Sequence, residues 1–568
     1  MNDYSKLKSG TDIRGVAIAS ENKSAVLTET AVSDFANAFA LWIAKRTGKQ
    51  RFKIAVGRDS RLTGELFTRV VISSLKYAGL EIFDCGMFST PAAFLTTQFP
   101  SMQTDGAIMI TASHHPKDIN GLKFFTPEGG VNSGELNEII EIASEGKKMP
   151  MGPASTIVRR DFMRLYCDSL TDALRKGTGL FLPLKGLNIV VDAGHGAGGF
   201  FATRVLEPLG ADTSASQFLE PDGSFPAHAP NPENGEAMQS LKDRVIETGA
   251  DLGIIFDADV DRCAIVTSDG MEINRCRLIA LAAAMILPDH PNATIVTDSV
   301  TTEGLKQFIE SRGGVQKRFK RGYRNVIDEA KRLCESGVDA PLAIESSGHV
   351  AFSEHYFLDD GAYFITKILI AYANLRKQGQ SITDLIADYS DPLEECDIRL
   401  NFMCENWREL ADKIMSRLNG LAERLLRISP GSYEGVRAYV SHANGYFIVR
   451  TSVHDPVLPI YIESNKAGGV KSIARFLYSF LKDFGGLDCT PFDEYVQEES
   501  KPDETAYEDS AAEQTEEVPD NYAVEEQAEE SFEEYAADSD GGFSEYDAQS
   551  DTVQNQDEQT VQVENDGF

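Results

Sequence analysis

A serine sits where an apolar stretch runs into two histidines, and it is the first feature of this chain that could do chemistry. In residues 105–125, DGAIMITASHHPKDINGLKFF, the strand expected over 107–110 leads into Thr-Ala-Ser-His-His-Pro, and Lys123 follows an Asn-Gly turn. Ser113 beside His114, His115 and Lys123 has what a hydroxyl nucleophile needs, namely hydrogen-bonding neighbours and a cation. Taken alone, the same residues also describe an ordinary surface turn.

A second stretch, residues 251–266, DLGIIFDADVDRCAIV, places carboxylates at alternate positions after an apolar strand. In extended backbone alternate side chains point the same way, so Asp257, Asp259 and Asp261 can converge on one hard cation, with Mg²⁺ the natural candidate. The spacing also begins a calcium EF-hand loop, but position six is Arg262 instead of glycine and position twelve is Ser268 instead of glutamate, which excludes that motif. Without a cation, three acids directly after a buried strand repel one another.

Two further loops carry polar groups. In residues 342–357, LAIESSGHVAFSEHYF, Glu345, Ser347 and His349 alternate around Gly348 and offer the donors and acceptors that sugar hydroxyls require. In residues 450–456, Arg450 and Ser452 follow a strand and suit a phosphate. The run Gly194-His-Gly196-Ala-Gly198-Gly199 satisfies a dinucleotide-binding pattern, with Asp212 and Glu220 downstream, but one such match is weak because glycine-rich turns also serve tight packing.

The elements that must hold these loops recur. Strands expected over 53–57, 187–192 and 293–297 each end in a polar turn (RDSRLTG, AGHGAGG and DSVTTEG) and enter a helical stretch, the signature of α/β units whose ligands lie at the carboxyl ends of strands. Residues 28–46 put Val32, Phe35, Phe39, Trp42 and Ile43 on one helical face behind Thr28 as N-cap, which marks core. Breaker-rich joints divide the chain into α/β units over 1–150, 151–270 and 271–388, followed by an α+β unit over 389–489 with a helix at 405–426 and strands over 438–449. Residues 490–568 are expected to be a disordered acidic tail, either a solvating extension or an interaction segment.

Charge explains what the chain does not do. Its formal charge of −34 is concentrated in residues 491–568, which hold 27 Asp and Glu against one Lys, leaving the other 490 residues at −8. Nucleic-acid binding needs clustered cations and is excluded. The first residues, MNDYSKLKSGTDIRG, lack a secretory h-region, and the longest apolar run, 278–287, is too short to span a bilayer, so a cytoplasmic location without membrane contact is expected. Eight scattered cysteines without metal-finger spacing read as small buried hydrophobes.

In their order, the four loops resemble the α-D-phosphohexomutase superfamily, and within it the bacterial phosphomannomutase/phosphoglucomutase branch, whose patterns are T-A-S-H-N-P, D-G-D-G-D-R, G-E-x-S-G-H and R-x-S-G-T-E-P. The resemblance runs from Thr11 to Phe484. It implies three related α/β domains and a fourth α+β domain around a central cleft. It also implies an enzyme that interconverts hexose 1-phosphate and hexose 6-phosphate, of mannose or glucose, through phospho-Ser113 and a hexose 1,6-bisphosphate that also acts as activator. Position by position, Asp257, Asp259, Asp261 and the phosphate on Ser113 would hold Mg²⁺, while Arg14, His114 and Lys123 would surround the reacting oxygen. Arg262, Glu345, Ser347 and His349 would face the sugar. Arg450 and Ser452 would take the non-reacting phosphate, with Arg321 and Arg324 candidates for the same region.

The chain departs from the family pattern at His115, at Ala258 and Val260 in place of glycines, at Ile344, and at Val453, His454 and Asp455 in the phosphate loop. The loop Glu-Ser-Ser-Gly-His fits the mannose/glucose branch better than the Glu-Gln-Ser-Gly-His of phosphoglucosamine mutases. A phosphoglucosamine mutase, a metal-dependent sugar phosphatase and a non-enzymatic sugar-phosphate-binding scaffold remain the alternatives.

Overall fold

The computed structural model describes residues 2–428, 433–452 and 456–496. Four sheets follow one another along the chain. The first has eight strands in the order Lys8–Ser9, Asp12–Val16, Ile119–Thr126, Gly106–Ile110, Lys53–Arg58, Glu81–Met87, Thr156–Arg159, with Gly129–Gly130 added beside Ile119–Thr126. Its half from Gly106–Ile110 to Thr156–Arg159 is parallel. Thr156–Arg159 therefore belongs to the first sheet, beyond the boundary expected at residue 150, because its backbone completes the ladder of Glu81–Met87.

The second sheet orders Glu272–Ile273, Cys263–Thr267, Leu252–Phe256 and Ile189–Asp192, and the third orders Val315–Arg318, Thr294–Thr297, Leu342–Ile344, Val350–Phe352 and Leu358–Asp359. Both mix parallel and antiparallel pairs. The fourth sheet is antiparallel throughout, in the order Glu394–Asn401, Val457–Ser464, Gly445–Arg450, Gly435–Val440, Arg427–Ile428, and helices Trp407–Leu425 and Gly469–Leu481 accompany it. Three α/β units and an α+β unit are the architecture the sequence leads one to expect.

Local chemistry accounts for the elements. Helix Glu29–Thr47 starts where the Thr28 side chain accepts from Ala31 N, ends at Gly48 in the left-handed region, and buries Val32, Phe35, Phe39, Trp42 and Ile43. The long apolar run becomes helix Arg275–Ile286, whose residues from Leu278 to Ala284 are all buried, so it is a core helix; no helix among the described residues is long and apolar enough to cross a membrane. One continuous buried cluster runs from Ala55 to Ile386 and so joins the first three units, whereas residues 398–492 close a core of their own.

Residues 490–496, expected to open the tail, are part of the fold. Thr490–Phe492 and Asp493–Val496 are helical, and Phe492 is fully buried in the fourth core with Tyr495 and Val496 packed against it. The acidic composition hid this because a lone Phe anchors without any periodic pattern. The rest of the expected tail lies outside the described residues. Burying a Phe contributes roughly 1.5–3 kcal/mol, so ending the chain after Cys489 is expected to lower the melting temperature of the fourth unit by several degrees, while ending it after Val496 keeps these contacts. Equal melting curves for the two truncations would contradict this.

Candidate active site

The chemistry-bearing residues gather because each follows the carboxyl end of a strand. Ser113 comes three residues after Gly106–Ile110, Asp257 directly after Leu252–Phe256, Glu345 directly after Leu342–Ile344, and Arg450 closes Gly445–Arg450. These ends surround a cavity of about 1200 Å³, lined among others by His114, Arg262, Arg321, Glu345, His349 and Arg450.

At its floor Ser113 is almost fully buried and adopts φ +52°, outside the usual range for a residue with a side chain. Its Oγ donates to Asp257 Oδ2 at 2.8 Å and lies 3.2 Å from His114 Nδ1. The loop is clamped from below by Arg61, a fully buried side chain whose guanidinium donates to the carbonyls of Ser113, His115 at 2.6 Å, Pro116 at 2.9 Å and Ile119 at 2.7 Å. Asp59 pairs with Arg61 at 3.2 Å and accepts from Thr111 Oγ1, whose oxygen in turn accepts from Ser113 N. Sequence reasoning noted the turn RDSRLTG but missed this strut, since nothing in a turn sequence says which arginine goes inside.

Asp257, Asp259 and Asp261 are buried and can place one oxygen each within 4.8 Å of one another. Burial, then Asp261 and Asp259, pushes the Asp257 carboxyl well above the usual range. Burial acts the same way on Asp261, but Lys123 at 2.6 Å and His349 at 3.5 Å outweigh it and hold that carboxyl well below. Thr90 Oγ1 donates to Asp259 Oδ2 at 2.5 Å, yet Asp259 Oδ1 and Asp261 Oδ1 are buried without a hydrogen-bond partner. Two orphaned carboxylate oxygens in an all-oxygen donor set fit a hard divalent cation.

Departures from the family pattern show their effect here. Val260 has φ +66°, a strained value for a β-branched side chain, and is held there by Gly361 N donating to its carbonyl at 3.2 Å. Glycine in the family pattern at this position is thus explained by backbone. The glycine-rich run is a packing device: a Cβ on Gly196 would lie 2.7 Å from Ala258 Cα, and one on Gly199 2.3 Å from Leu219 O. Ala197 N donates to Ala258 O at 2.8 Å, so the run seats the carboxylate loop.

Across the floor, the Glu345 carboxylate accepts from Gly322 N at 2.5 Å and Ser347 Oγ at 3.2 Å, and Ser347 Oγ pairs with His349 Nδ1 at 2.9 Å. Burial and Arg262 oppose a charge on His349, but Asp261 and Glu345 prevail and its pKa rises to about 9. Burial, assisted by Arg262, drives the His114 pKa far down, so that imidazole is neutral. Arg14 is paired with Asp12 at 2.7 Å, and Arg262 Nε lies 3.3 Å from His349 Nε2. Tyr323, also missed, stacks on His349 with centroids 5.2 Å apart and receives Lys123 over its ring.

Higher on the wall Glu434 gathers three groups. It accepts from Arg321 N at 2.8 Å and from Ser299 Oγ, and Arg450 Nε lies 3.8 Å away. Arg399, on Glu394–Asn401, lines the same wall and went unnoticed in the sequence because it sits mid-strand. Ser452 lines the cleft, while Val453, His454 and Asp455 lie outside the described residues. Arg324 donates to Gly130 O at 2.8 Å and pairs with Asp328 at 2.9 Å, and it lines a smaller cavity together with Lys123, Asp261 and Tyr323.

Moving a phosphoryl group within one molecule calls for a buried acceptor hydroxyl with cations in reach of the phosphoryl oxygens, and a cleft at the strand ends of three α/β units that carries Arg262, Arg321, Arg399 and Arg450 meets that need; the class is that of the phosphotransferring isomerases, the mutases. Domains I, II and III of phosphoglucomutase/phosphomannomutase match residues 6–149, 165–270 and 276–391. A phosphomannomutase/phosphoglucomutase of Pseudomonas syringae pathovar tomato is 30% identical over 462 residues, covering 79% of this chain and 93% of that one. A phosphoglucosamine mutase of Lactobacillus delbrueckii is 28% identical over 363 residues, covering 62% and 76%. The crystal structure of a phosphoglucomutase/phosphomannomutase family protein from Burkholderia thailandensis superimposes with a TM-score of 0.69 at 25% identity, over 84% of this chain and 97% of that one. The chain belongs to the phosphoglucomutase/phosphomannomutase family.

Proposed function

We propose that this enzyme interconverts hexose 1-phosphate and hexose 6-phosphate, of mannose or glucose or both, with Ser113 carrying the phosphoryl group between the two oxygens. The observation that carries the reading is Ser113 Oγ, buried 2.8 Å from Asp257 Oδ2 beside two carboxylate oxygens without hydrogen bonds, with Arg262, Arg321, Arg399 and Arg450 lining the cleft. Asp257, Asp259 and Asp261, with the phosphate on Ser113, would hold Mg²⁺, which when bound neutralises charge on the phosphoryl oxygens.

The chain's own residues do the rest. Phospho-Ser113 gives its phosphoryl group to one sugar oxygen, forming a hexose 1,6-bisphosphate, and recovers the group at the other oxygen once that intermediate has turned around. In the first half the sugar hydroxyl's proton passes to Ser113 Oγ as the phosphoryl group leaves it, and in the recovery half the Ser113 proton returns to the sugar oxygen that leaves; Asp257, which accepts from Oγ, and His114 at 3.2 Å orient that hydroxyl. Lys123 and Arg14 stand by the reacting oxygen, Glu345, Ser347 and His349 grip sugar hydroxyls, and Arg262 orients the ring. Arg321, Arg450 and Ser452 hold the distal phosphate in either orientation.

Incubation with glucose 1-phosphate, Mg²⁺ and a trace of glucose 1,6-bisphosphate tests the reading. Glucose 6-phosphate is expected; free phosphate would instead mean a phosphatase, and no product a binding scaffold. Glu345 and Ser347 meet hydroxyls common to mannose and glucose, and one hydrogen bond contributes about 0.5–1.5 kcal/mol. The two sugars should then differ by no more than about one or two powers of ten in kcat/KM, with glucosamine phosphate much poorer. A preference for the amino sugar would remove the reading of residues 345–349 and leave the serine and carboxylates standing.

A further inference from the structure

Outside the catalytic cleft, a cavity of about 290 Å³ lies in the seam between the edge strand Val315–Arg318 of the third sheet and the strands Gly435–Val440 and Gly445–Arg450 of the fourth. Its lining opposes the acidic character of the chain. Among the described residues, Lys306, Lys317, Arg318, Arg427 and Arg437 meet a single lining carboxylate, Glu303. Rings of Phe319, Tyr433, Tyr439 and Tyr446 stand among them.

Arg437 shows that this is more than a basic surface. Its side chain is 97% buried, yet Nε and Nη2 have no hydrogen-bond partner, and Glu303 and Glu463 stand off from Nη2 at 3.5 Å. Its guanidinium lies 5.1 Å from the centroid of the Tyr446 ring. Burial and the neighbouring Arg437 lower the Arg318 pKa to about 10 against the pull of Glu303 and Glu463, so the two guanidiniums still burden each other. Desolvated, unsatisfied donors are costly to keep unless something accepts from them.

We propose that this seam binds a small phosphorylated molecule carrying a flat ring, of the nucleoside monophosphate class. The cavity volume suits one such molecule. The phosphate would accept from Arg437 and Lys317, and the ring would lie against the tyrosines, which a bare phosphate would leave uncovered. The site is separate from the chemistry but joined to it: Val315–Arg318 runs on to Arg321, and Gly445–Arg450 ends on Arg450, both of which line the catalytic cleft.

Calorimetry with AMP, adenosine and inorganic phosphate as probes tests this, in saturating glucose 6-phosphate to occupy the catalytic cleft. AMP is expected to bind one to one with a Kd of about 10–100 µM, and adenosine and inorganic phosphate at least about tenfold more weakly. Arg437 is part of the packing, so the variants are Lys317→Glu and Tyr446→Ala. Each should weaken AMP at least about tenfold, and Lys317→Glu should leave turnover without AMP unchanged. No AMP binding at millimolar concentration overturns the proposal. So does AMP binding that both variants keep, which would place AMP in the catalytic cleft, or inorganic phosphate binding as tightly as AMP, which would remove the ring from the argument.

Discussion

Ser113→Ala is expected to lower turnover at least about 10⁴-fold, as loss of a nucleophile does, and to leave no phosphoserine in the intact mass of protein incubated with glucose 1,6-bisphosphate. The fold should survive. Although the side chain is buried, the change removes only the Oγ contacts to Asp257 and His114, each worth about 0.5–1.5 kcal/mol. Alanine keeps the same unfavourable φ of +52°, and the Arg61 clamp acts on carbonyls that the substitution leaves in place. Activity within tenfold of the parent, with an unchanged melting curve, would take Ser113 out of the mechanism.

Asp259→Asn should be the second most damaging change, and its signature is a split between rate and stability. Mg²⁺ that binds only the folded state stabilises it by mass action, by about 2.7 kcal/mol at a hundredfold excess over Kd, and so raises the melting temperature. With one anionic ligand gone, that rise should collapse and turnover should fall at least about 10²-fold. Metal-free protein should lose little, because crowding among three buried carboxylates is relieved and Lys123 keeps its closer partner, Asp261. If a chelator leaves the rate untouched and Mg²⁺ stabilises parent and variant alike, the cation site is elsewhere.

What the sequence made legible was whatever local pattern determines. Strand, polar turn and helix recur with their own periodicities, and the same turns deliver Ser113, the three aspartates and Glu345 to one place, so fold class and floor of the site could be read together. Long-range placement could not. Arg61 and Arg324 look alike as turn and helix-start arginines, yet one goes inside to hold the serine loop and the other reaches across to the first unit at Gly130. Phe492 was lost in acidic composition, and Arg437 gave no sign in a strand of mixed residues. Val260 was legible as a departure, but only the backbone shows that it carries strain at a position where the family pattern has glycine.

The separate core of the fourth unit has a mechanical consequence. Three units share one buried cluster and so resist relative displacement, since any shear would open voids in close-packed side chains. The fourth meets the third across hydrophilic contacts such as Glu434 with Ser299 and Arg321. Polar contacts can be exchanged for water, whereas a torn apolar core has no such replacement. The fourth unit is therefore the one whose displacement would tear no buried apolar cluster, while the first three stand or fall together.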